Sequence, residues 1–477
     1  MVNLKKSERS PSYGYALFSL LFIFIVLIAG IMVVGASLQI TMFIGLLLAI
    51  PFAMRIGYSY GEVESFAFDM IRNVLGVIMI LLAVGALIGT WASSGTISTL
   101  TFIGLELIFP QYFLVTALVL CSIVSMATGT SWGTLGSVGL ALIGVASAFE
   151  IDLAIAAGAI VCGSVFGDKL SPFSDSTNMA AAVSNVDLMD HVKHMMWTTI
   201  PAFIMTAIIF TVIGFFQNVK SSVAGAMELE TIKEGIGAQL QLGWIPLLPM
   251  LVIFILLMLR KPAFPSIFLG AVAGLIITVL YQGFSLAEAI EFMATGFVST
   301  TGIDIVDTLL SDGGVSSMLS TVALFIFTLG LGGILSGSGI LHTVLQPVFS
   351  KLTSAKRLIP ATLAVTFANC IIGASATFAY AVTGPSMSPL YNRLNLDRVN
   401  LSRTMEDAGA VSGVIIPWHI TAVFGASVLG VSQFEFIPYL YLSYLSPLVA
   451  IAFALTGFSI KKAERSGAAV EKAVSEN

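Results

Sequence analysis

A chain of 477 residues that is 57% hydrophobic and only 10% charged, with a mean hydropathy of +0.99, falls far below the roughly 25% charged share usual in soluble domains. No soluble fold hides that much apolar surface, so the composition points to a helical membrane protein whose first partner is the lipid bilayer. The net charge of −5 resides mostly in loops and argues against nucleic acid as a partner.

In chain order, an N-terminal tail over 1–14 carries Lys5, Lys6 and Arg9. It precedes an apolar run over 15–35 that is too long for a signal h-region and is expected to remain as the first membrane helix. Further runs at 73–93 and 438–460 are also long enough to cross hydrocarbon. Between them the first half reads as three crossings, a re-entrant hairpin over 112–149 interrupted at 128–134, a broken helix from Asp152 through Ser171 to Asn178, and a last crossing. The first repeat is thus 15–216. A charged stretch over 217–243, with Glu228, Glu230, Lys233 and Glu234, is expected to be an extracytoplasmic linker. The second repeat, 244–460, has its hairpin at 360–391 and its broken helix at 399–431, opened around Pro417. A cytoplasmic tail over 461–477 follows.

A shift of 244 residues superposes Gly89 on Gly333, Ser94 on Ser338, Gly95 on Gly339, Gly129 on Gly373 and Ser131 on Ser375. One further residue then aligns Asp152 with Asp397, Pro172 with Pro417, Phe173 with Trp418 and Ser176 with Thr421. The matches fall on Gly, Ser and Pro positions that interrupt apolar helices, which predicts an internal duplication. About five crossings per half is an odd number, so the second copy is expected to be inverted. Cytoplasmic ends are enriched in Lys and Arg. With both termini inside, Arg55, Arg72, Lys193, Arg260, Lys261, Lys351, Lys356, Arg357, Arg393, Arg398, Lys461, Lys462 and Arg465 all fall at such ends, whereas Lys220 and Lys233 do not. Outside loops hold Glu150, Asp304, Asp307, Asp312 and Glu435. Seven crossings per half would also be odd; the shortness expected of the half-helices favours re-entry.

Broken helices in inverted repeats are where secondary transporters bind substrate, because unwound carbonyls and half-helix ends expose dipoles at membrane depth. The segment 167–178 (GDKLSPFSDSTN) packs two carboxylates, an amine, four hydroxyls and an amide into twelve residues. Pro172 lacks an N–H and clashes with the preceding turn, so the helix opens there and frees carbonyls. Asp175 is then either a carboxylate exchanging Na+ and protons, with Ser174, Ser176, Thr177, Asn178 and freed carbonyls around it, or the cap of the following half-helix. Asp168 and Lys169 are either part of the same relay or a neutralised pair. In the second half Arg403, Glu406 and Asp407 lie in a membrane helix, where an unpaired charge costs at least roughly 2.5–3.5 kcal/mol. Arg403 is spaced to pair with either acid, and Asp407 is the stronger ligand candidate. Asp152 and Asp397 read as N-caps.

Gly129-Thr130-Ser131-Trp132-Gly133 matches the G-x-S-x-G of a hydrolase elbow, but that motif needs a strand, a turn and an oriented histidine. The tips of the two hairpins, Thr130, Ser131, Ser375 and Thr377, read instead as hinges, and no enzymatic activity is expected. His191 and His194, at a cytoplasmic helix start, are either solvated or pH-sensing. Gly85 with Gly89, and Gly270 with Gly274, have the spacing of close helix packing. Cys121, Cys162 and Cys370 sit in apolar runs as small core residues.

Residues 167–180 (GDKLSPFSDSTNMA) closely resemble the GDK-x-SP-x-SD-(S/T)-TN signature of NhaC-type sodium/proton antiporters. The similarity extends over 186–202, with His191, His194 and Trp197-Thr198-Thr199-Ile200-Pro201, and to Met405-Glu406-Asp407 and Pro417-Trp418. The resemblance implies the ion transporter superfamily architecture, an all-α polytopic membrane protein of two inverted repeats, each with a re-entrant hairpin. It also implies exchange of cytoplasmic Na+ for external H+. Taken with the residues, the expectation is a multi-pass protein of the bacterial inner membrane with no cofactor, in which Asp175 and Asp407 alternately bind Na+ and protons and Asp168 is a third titrating candidate. Where the family's second break is expected to read Ile-Pro-Trp-Asn, this chain has Ile416-Pro417-Trp418-His419. His419, with Thr421 and the hairpin-tip hydroxyls, either makes transport pH-sensitive or belongs to a site for a small organic acid such as malate or lactate, or for an amino acid. A homodimer is a further expected partner.

Overall fold

The computed structural model describes residues 9–72, 75–216, 239–301, 313–349 and 352–463, with the single positions 235, 237, 307 and 311. Most of the linker, including Lys220, Glu228, Glu230, Lys233 and Glu234, lies outside the described residues, as do Lys5, Lys6, Asp304, Asp312, Lys351 and Arg465. Every named element is a helix. Among the described residues the one β-type pairing is an isolated bridge between Leu396 and Lys462.

The first half runs α1 (Tyr13–Met32), α2 (Leu38–Arg55), α3 (Tyr60–Arg72), α4 (Leu75–Ser93), α5 (Thr96–Leu107), α6 (Phe113–Thr128), α7 (Ser131–Thr134), α8 (Leu140–Ala148), α9 (Leu153–Leu170), α10 (Asp175–Ser184) and α11 (Leu188–Phe216). The second half holds α12 (Leu248–Met258), α13 (Ala263–Leu280), α14 (Leu286–Thr295), α15 (Leu319–Gly337), α16 (Ile340–Phe349), α17 (Ala355–Gly373), α18 (Ala376–Arg393), α19 (Val399–Glu406), α20 (Ile420–Leu429), α21 (Gln433–Phe436) and α22 (Tyr441–Thr456). Ten of the described helices are long and apolar enough to cross a bilayer, and two bent pairs, Val399–Ile415 with Ile420–Leu429 and Gln433–Tyr439 with Tyr441–Thr456, raise this to 12. The chain is a polytopic helical membrane protein.

Local chemistry sets the ends of these helices. The Ser12 hydroxyl accepts from Tyr15 N and the Ser37 hydroxyl from Ile40 N. Asp152 caps its helix as expected, accepting from Ala154 N at 2.8 Å, whereas Asp397 stands one residue before the N-cap Arg398 and accepts from Val399 N at 3.0 Å. The three cysteines are free and buried. The stretch after α22 does not hang free: Lys461 O accepts from Asp397 N at 3.0 Å, and Lys461 pairs with the Asp397 carboxylate at 3.2 Å.

The hairpin tips and the helix breaks of the two halves share local backbone geometry at a constant spacing. Gly129 and Ala374 both end an arm in the left-handed conformation, and Thr130 and Ser375 both follow in extended backbone. The half-helix after each break runs from Asp175 to Ser184 and from Ile420 to Leu429, and a left-handed residue, Asn185 or Gly430, closes each. All of these positions differ by 245, so the shift from 244 occurs before the hairpin tip. This corrects the pairing of Ser131 with Ser375 and of Gly129 with Gly373: Ser375 stands where Thr130 does. Gly373 is required for another reason, because the Phe378 ring lies against it and leaves no room for a side chain.

The hairpin arms are not short. Pro110–Thr128 and Ala355–Gly373 have 19 residues, and Ser131–Ala148 and Ala376–Arg393 have 18. At 1.5 Å per residue each reaches about 27 Å, close to the hydrocarbon thickness, so arm length does not favour re-entry. The halves are interleaved: α4 packs on α13 and α14 of the other half, and α15 packs on α2 and α3. Glycine permits the first of these approaches. A side chain on Gly89 would run into the Phe292 carbonyl of α14, and one on Gly274 of α13 would stand 3.0 Å from the Thr90 hydroxyl.

Candidate functional site

The two breaks are built alike. Helix α9 stops at Leu170, Ser171 turns extended, and α10 resumes behind Ser174; in the second half Ile416 turns extended and α20 resumes behind His419. Pro172 and Pro417 sit inside these turns, as the missing N–H demands.

Most carbonyls of the first break that were expected to be free are taken up by neighbouring groups. Thr177 donates to Lys169 O at 3.0 Å, and the Asn178 amide donates to Pro172 O at 2.9 Å and to Ser174 O at 2.8 Å. The Ser174 and Ser176 hydroxyls pair with each other at 3.1 Å. Asp175 lies exposed in the first turn of α10, a position where the helix dipole favours negative charge. These groups therefore do not converge on Asp175 as a cation cage.

The acids that do converge come from different elements. Asp168 is half-buried and accepts from the Ser131 hydroxyl at 2.8 Å, which ties the first hairpin tip to the first break. Its neighbour Lys169 points elsewhere and forms an ion pair with Asp407, 238 residues away, both side chains wholly enclosed. The same Asp407 oxygen accepts from Thr198 of α11 at 3.0 Å and from Ser446 of α22 at 2.8 Å. Four elements from the two halves thus meet on one carboxylate. Its second oxygen is buried with no hydrogen-bond partner among the described residues.

Asp407 opens a π-helical turn, Asp407–Val411, a geometry that loosens the backbone ladder and recurs at functional sites. The Ser412 hydroxyl bridges the carbonyls of Asp407 and Ser443 at 2.7 and 2.8 Å. Glu406, fully enclosed, has no close hydrogen bond to either carboxylate oxygen among the described residues; the Tyr380 hydroxyl is its hydrogen-bonding neighbour, and Lys169 and Asp168 lie in electrostatic range. The Tyr380 hydroxyl accepts from Ala410 N at 2.8 Å and so braces the π turn against the second hairpin.

Arg403 departs from expectation. It pairs with neither acid; its guanidinium donates to the Ser459 carbonyl at 3.0 Å and hydroxyl at 2.9 Å, just past the C-terminal end of α22, where a cation is favoured. Asp407 is held by Lys169 instead. Nor are the histidines solvated: His191 is fully buried and His194 approaches the Asn400 amide oxygen at 3.2 Å.

His419 occupies the structural place of Ser174 and accepts from Thr421 N at 3.2 Å through Nδ1. Its Nε2 is buried with no partner among the described residues and faces Gly413. Thr421 accepts from Trp132 Nε1 of the first hairpin at 3.3 Å, and the Trp132 ring stacks on Phe424 with centroids 4.7 Å apart. Ser375 and Thr377 pair with each other at 2.9 Å at the second tip, and Thr130 caps α7 by accepting from Gly133 N at 3.2 Å. Gly129 to Gly133 is a helix end and a helix start, not a strand elbow.

Sequence reasoning did not anticipate Thr198 and Ser446 as partners of Asp407. Thr198 stood in a quoted segment, but nothing in the apolar run around Ser446 distinguishes it.

This arrangement has relatives. Residues 7–177 and 163–458 match the model of the Na+/H+ antiporter family. The malate-2H(+)/Na(+)-lactate antiporter of Bacillus subtilis (strain 168) is 37% identical over 453 residues, covering 95% of this chain and 96% of that protein. The Na(+)/H(+) antiporter NhaC of Alkalihalophilus pseudofirmus is 35% identical over 456 residues, covering 95% and 98%. The arginine/ornithine antiporter ArcD of Halobacterium salinarum is 33% identical over 460 residues, covering 95% and 94%. With a buried ion pair at the crossing of two broken membrane helices and similarity along nearly its whole length, the chain is a transporter that belongs to the Na+/H+ antiporter family.

Proposed function

We propose that the chain exchanges Na+ for H+ across the plasma membrane by alternating access, with its termini cytoplasmic and its halves inverted. The observation that carries this reading is the enclosed Lys169–Asp407 pair with Thr198 and Ser446 around it. A charge pair at membrane depth that joins the two halves is expensive to bury and is kept where ions pass. Asp407 and Asp168 are the cargo carboxylates in this scheme, Glu406 stands beside them, and the hydroxyls of Thr198, Ser446 and Ser131 supply the neutral oxygens that suit a hard monovalent cation. Asp175 stands at the mouth of the first break and raises the local cation concentration. Alternation would move the two broken helices and their hairpins against the interleaved α2, α4, α13 and α15. Segment 217–243 links the repeats outside the membrane.

A second reading is kept by His419. Its buried, unpartnered ring nitrogen beside Thr421 gives a donor that a carboxylate substrate would accept, so the cargo would include a small organic acid. Proteoliposomes separate the two. In the cation reading, Na+ alone dissipates an imposed pH gradient. Flux that appears only when malate or lactate is also present rejects it in favour of coupled organic-acid exchange.

A further inference from the structure

Among the described residues two lysine or arginine cations are fully enclosed, Arg403 and Lys169, and they are held in opposite ways. Arg403 rests on a helix end. Lys169 rests on an acid that the cargo itself needs. We propose that Lys169 is a tethered competitor of the transported cation: its ammonium occupies Asp407 when the centre is empty, and an entering cation displaces it onto Glu406. This rests on the cation-exchange reading given above.

The geometry supplies each part of such a device. Lys169 lies in the last turn of α9, one residue before Leu170, and its carbonyl is fixed by Thr177 at 3.0 Å. The backbone is anchored while the four-carbon stem remains the flexible part, able to swing a compact charge between acceptors. Asp407 has one oxygen saturated by the ammonium and two hydroxyls, and the other oxygen without a partner. A cargo cation on the free oxygen would face the ammonium across one carboxylate, and two like charges that close in a poorly screened interior repel strongly. The ammonium must therefore leave. Glu406 is the adjacent residue, fully enclosed, with the Tyr380 hydroxyl as its neutral hydrogen-bonding neighbour, no cation bonded to its carboxylate among the described residues, and Lys169 in electrostatic range. One ammonium thus lies in the field of two enclosed acids and is bonded to only one.

The repeat strengthens the case. At the 245-residue register the positions matching Glu406 and Asp407 are Val161 and Cys162, and those matching Asp168 and Lys169 are Gly413 and Val414. The ion pair has no symmetric twin. Each half contributes one side of a single switch, so moving the ammonium changes the charge distribution between α9 and α19 alone.

The test is Na+ binding to the purified full chain by titration calorimetry, at alkaline pH where free carboxyls are ionised and with choline holding ionic strength constant. Lys169→Gln removes the competitor and is expected to tighten Na+ binding at least about tenfold. Lys169→Arg keeps the charge in a bidentate fork that grips Asp407 harder, and is expected to weaken binding. Glu406→Gln removes the refuge while leaving Asp407 intact, and is also expected to weaken it. If Lys169→Gln does not fold, the other two variants decide. A Lys169→Gln that binds Na+ as weakly as wild type or more weakly, or Arg and Gln variants at Lys169 and Glu406 that bind as wild type does, would make the pair a fixed clamp and overturn the proposal. Should that happen while wild-type proteoliposomes still exchange Na+ for protons, only the switch fails. Wild type with neither saturable Na+ binding nor Na+-driven proton flux overturns the cation reading and the switch together.

Discussion

At the scale of single residues, burial separates acids that look equivalent on paper. Asp407 is enclosed and holds an ammonium and two hydroxyls, so removing its charge leaves Lys169 uncompensated, a loss of the order of 3–5 kcal/mol for a broken buried pair. Asp407→Asn is expected to lower the unfolding temperature in detergent and to reduce Na+-driven proton flux by more than about two orders of magnitude. Asp175 is exposed, where a charge contributes only about 0.2–1 kcal/mol, so Asp175→Asn is expected to raise KM for Na+ by no more than about fivefold with little change in kcat. Initial rates in everted vesicles over a Na+ series check both. A flux lost in Asp175→Asn and retained in Asp407→Asn would return the cargo site to the first break.

At the scale of elements, the breaks and hairpins are fixed by backbone chemistry, and the approach of helices by absent side chains. Gly274 meets Thr90 of α4, so Gly274→Val forces a branched side chain to within about 3.0 Å of the Thr90 hydroxyl and is expected to destabilise the α4–α13 contact by roughly 1–3 kcal/mol. Thermal unfolding in detergent reads this directly, and an unshifted midpoint would show that the two helices separate freely. The hairpin tips were legible as interruptions because Gly129 and Ser375 stand out from apolar runs. Their register was not, since identity of Gly129 with Gly373 suggested one pairing and the left-handed residues Gly129 and Ala374 establish another. An alanine in that conformation carries no sequence signal.

At the scale of the whole molecule, the topology makes a claim about sidedness. Lys261 and Gly283 are exposed at opposite ends of the span Ala263–Leu280. With buried Cys121, Cys162 and Cys370 replaced, Lys261→Cys is expected to react with a membrane-impermeant maleimide only in inside-out vesicles, and Gly283→Cys only in right-side-out ones. Labelling of both from one side would refute the inverted arrangement. Apolar run length, Gly, Ser and Pro punctuation and the capping position of Asp152 are local properties, and the sequence by itself determined from them that the chain is a polytopic helical membrane protein with a doubled pattern. The conversion of Asp168-Lys169 and Arg403-Glu406-Asp407 from local pairs into one long-range pair was decided only by the tertiary structure. A buried charge takes the partner that packing brings closest, and here that partner lies 238 residues away on the other half.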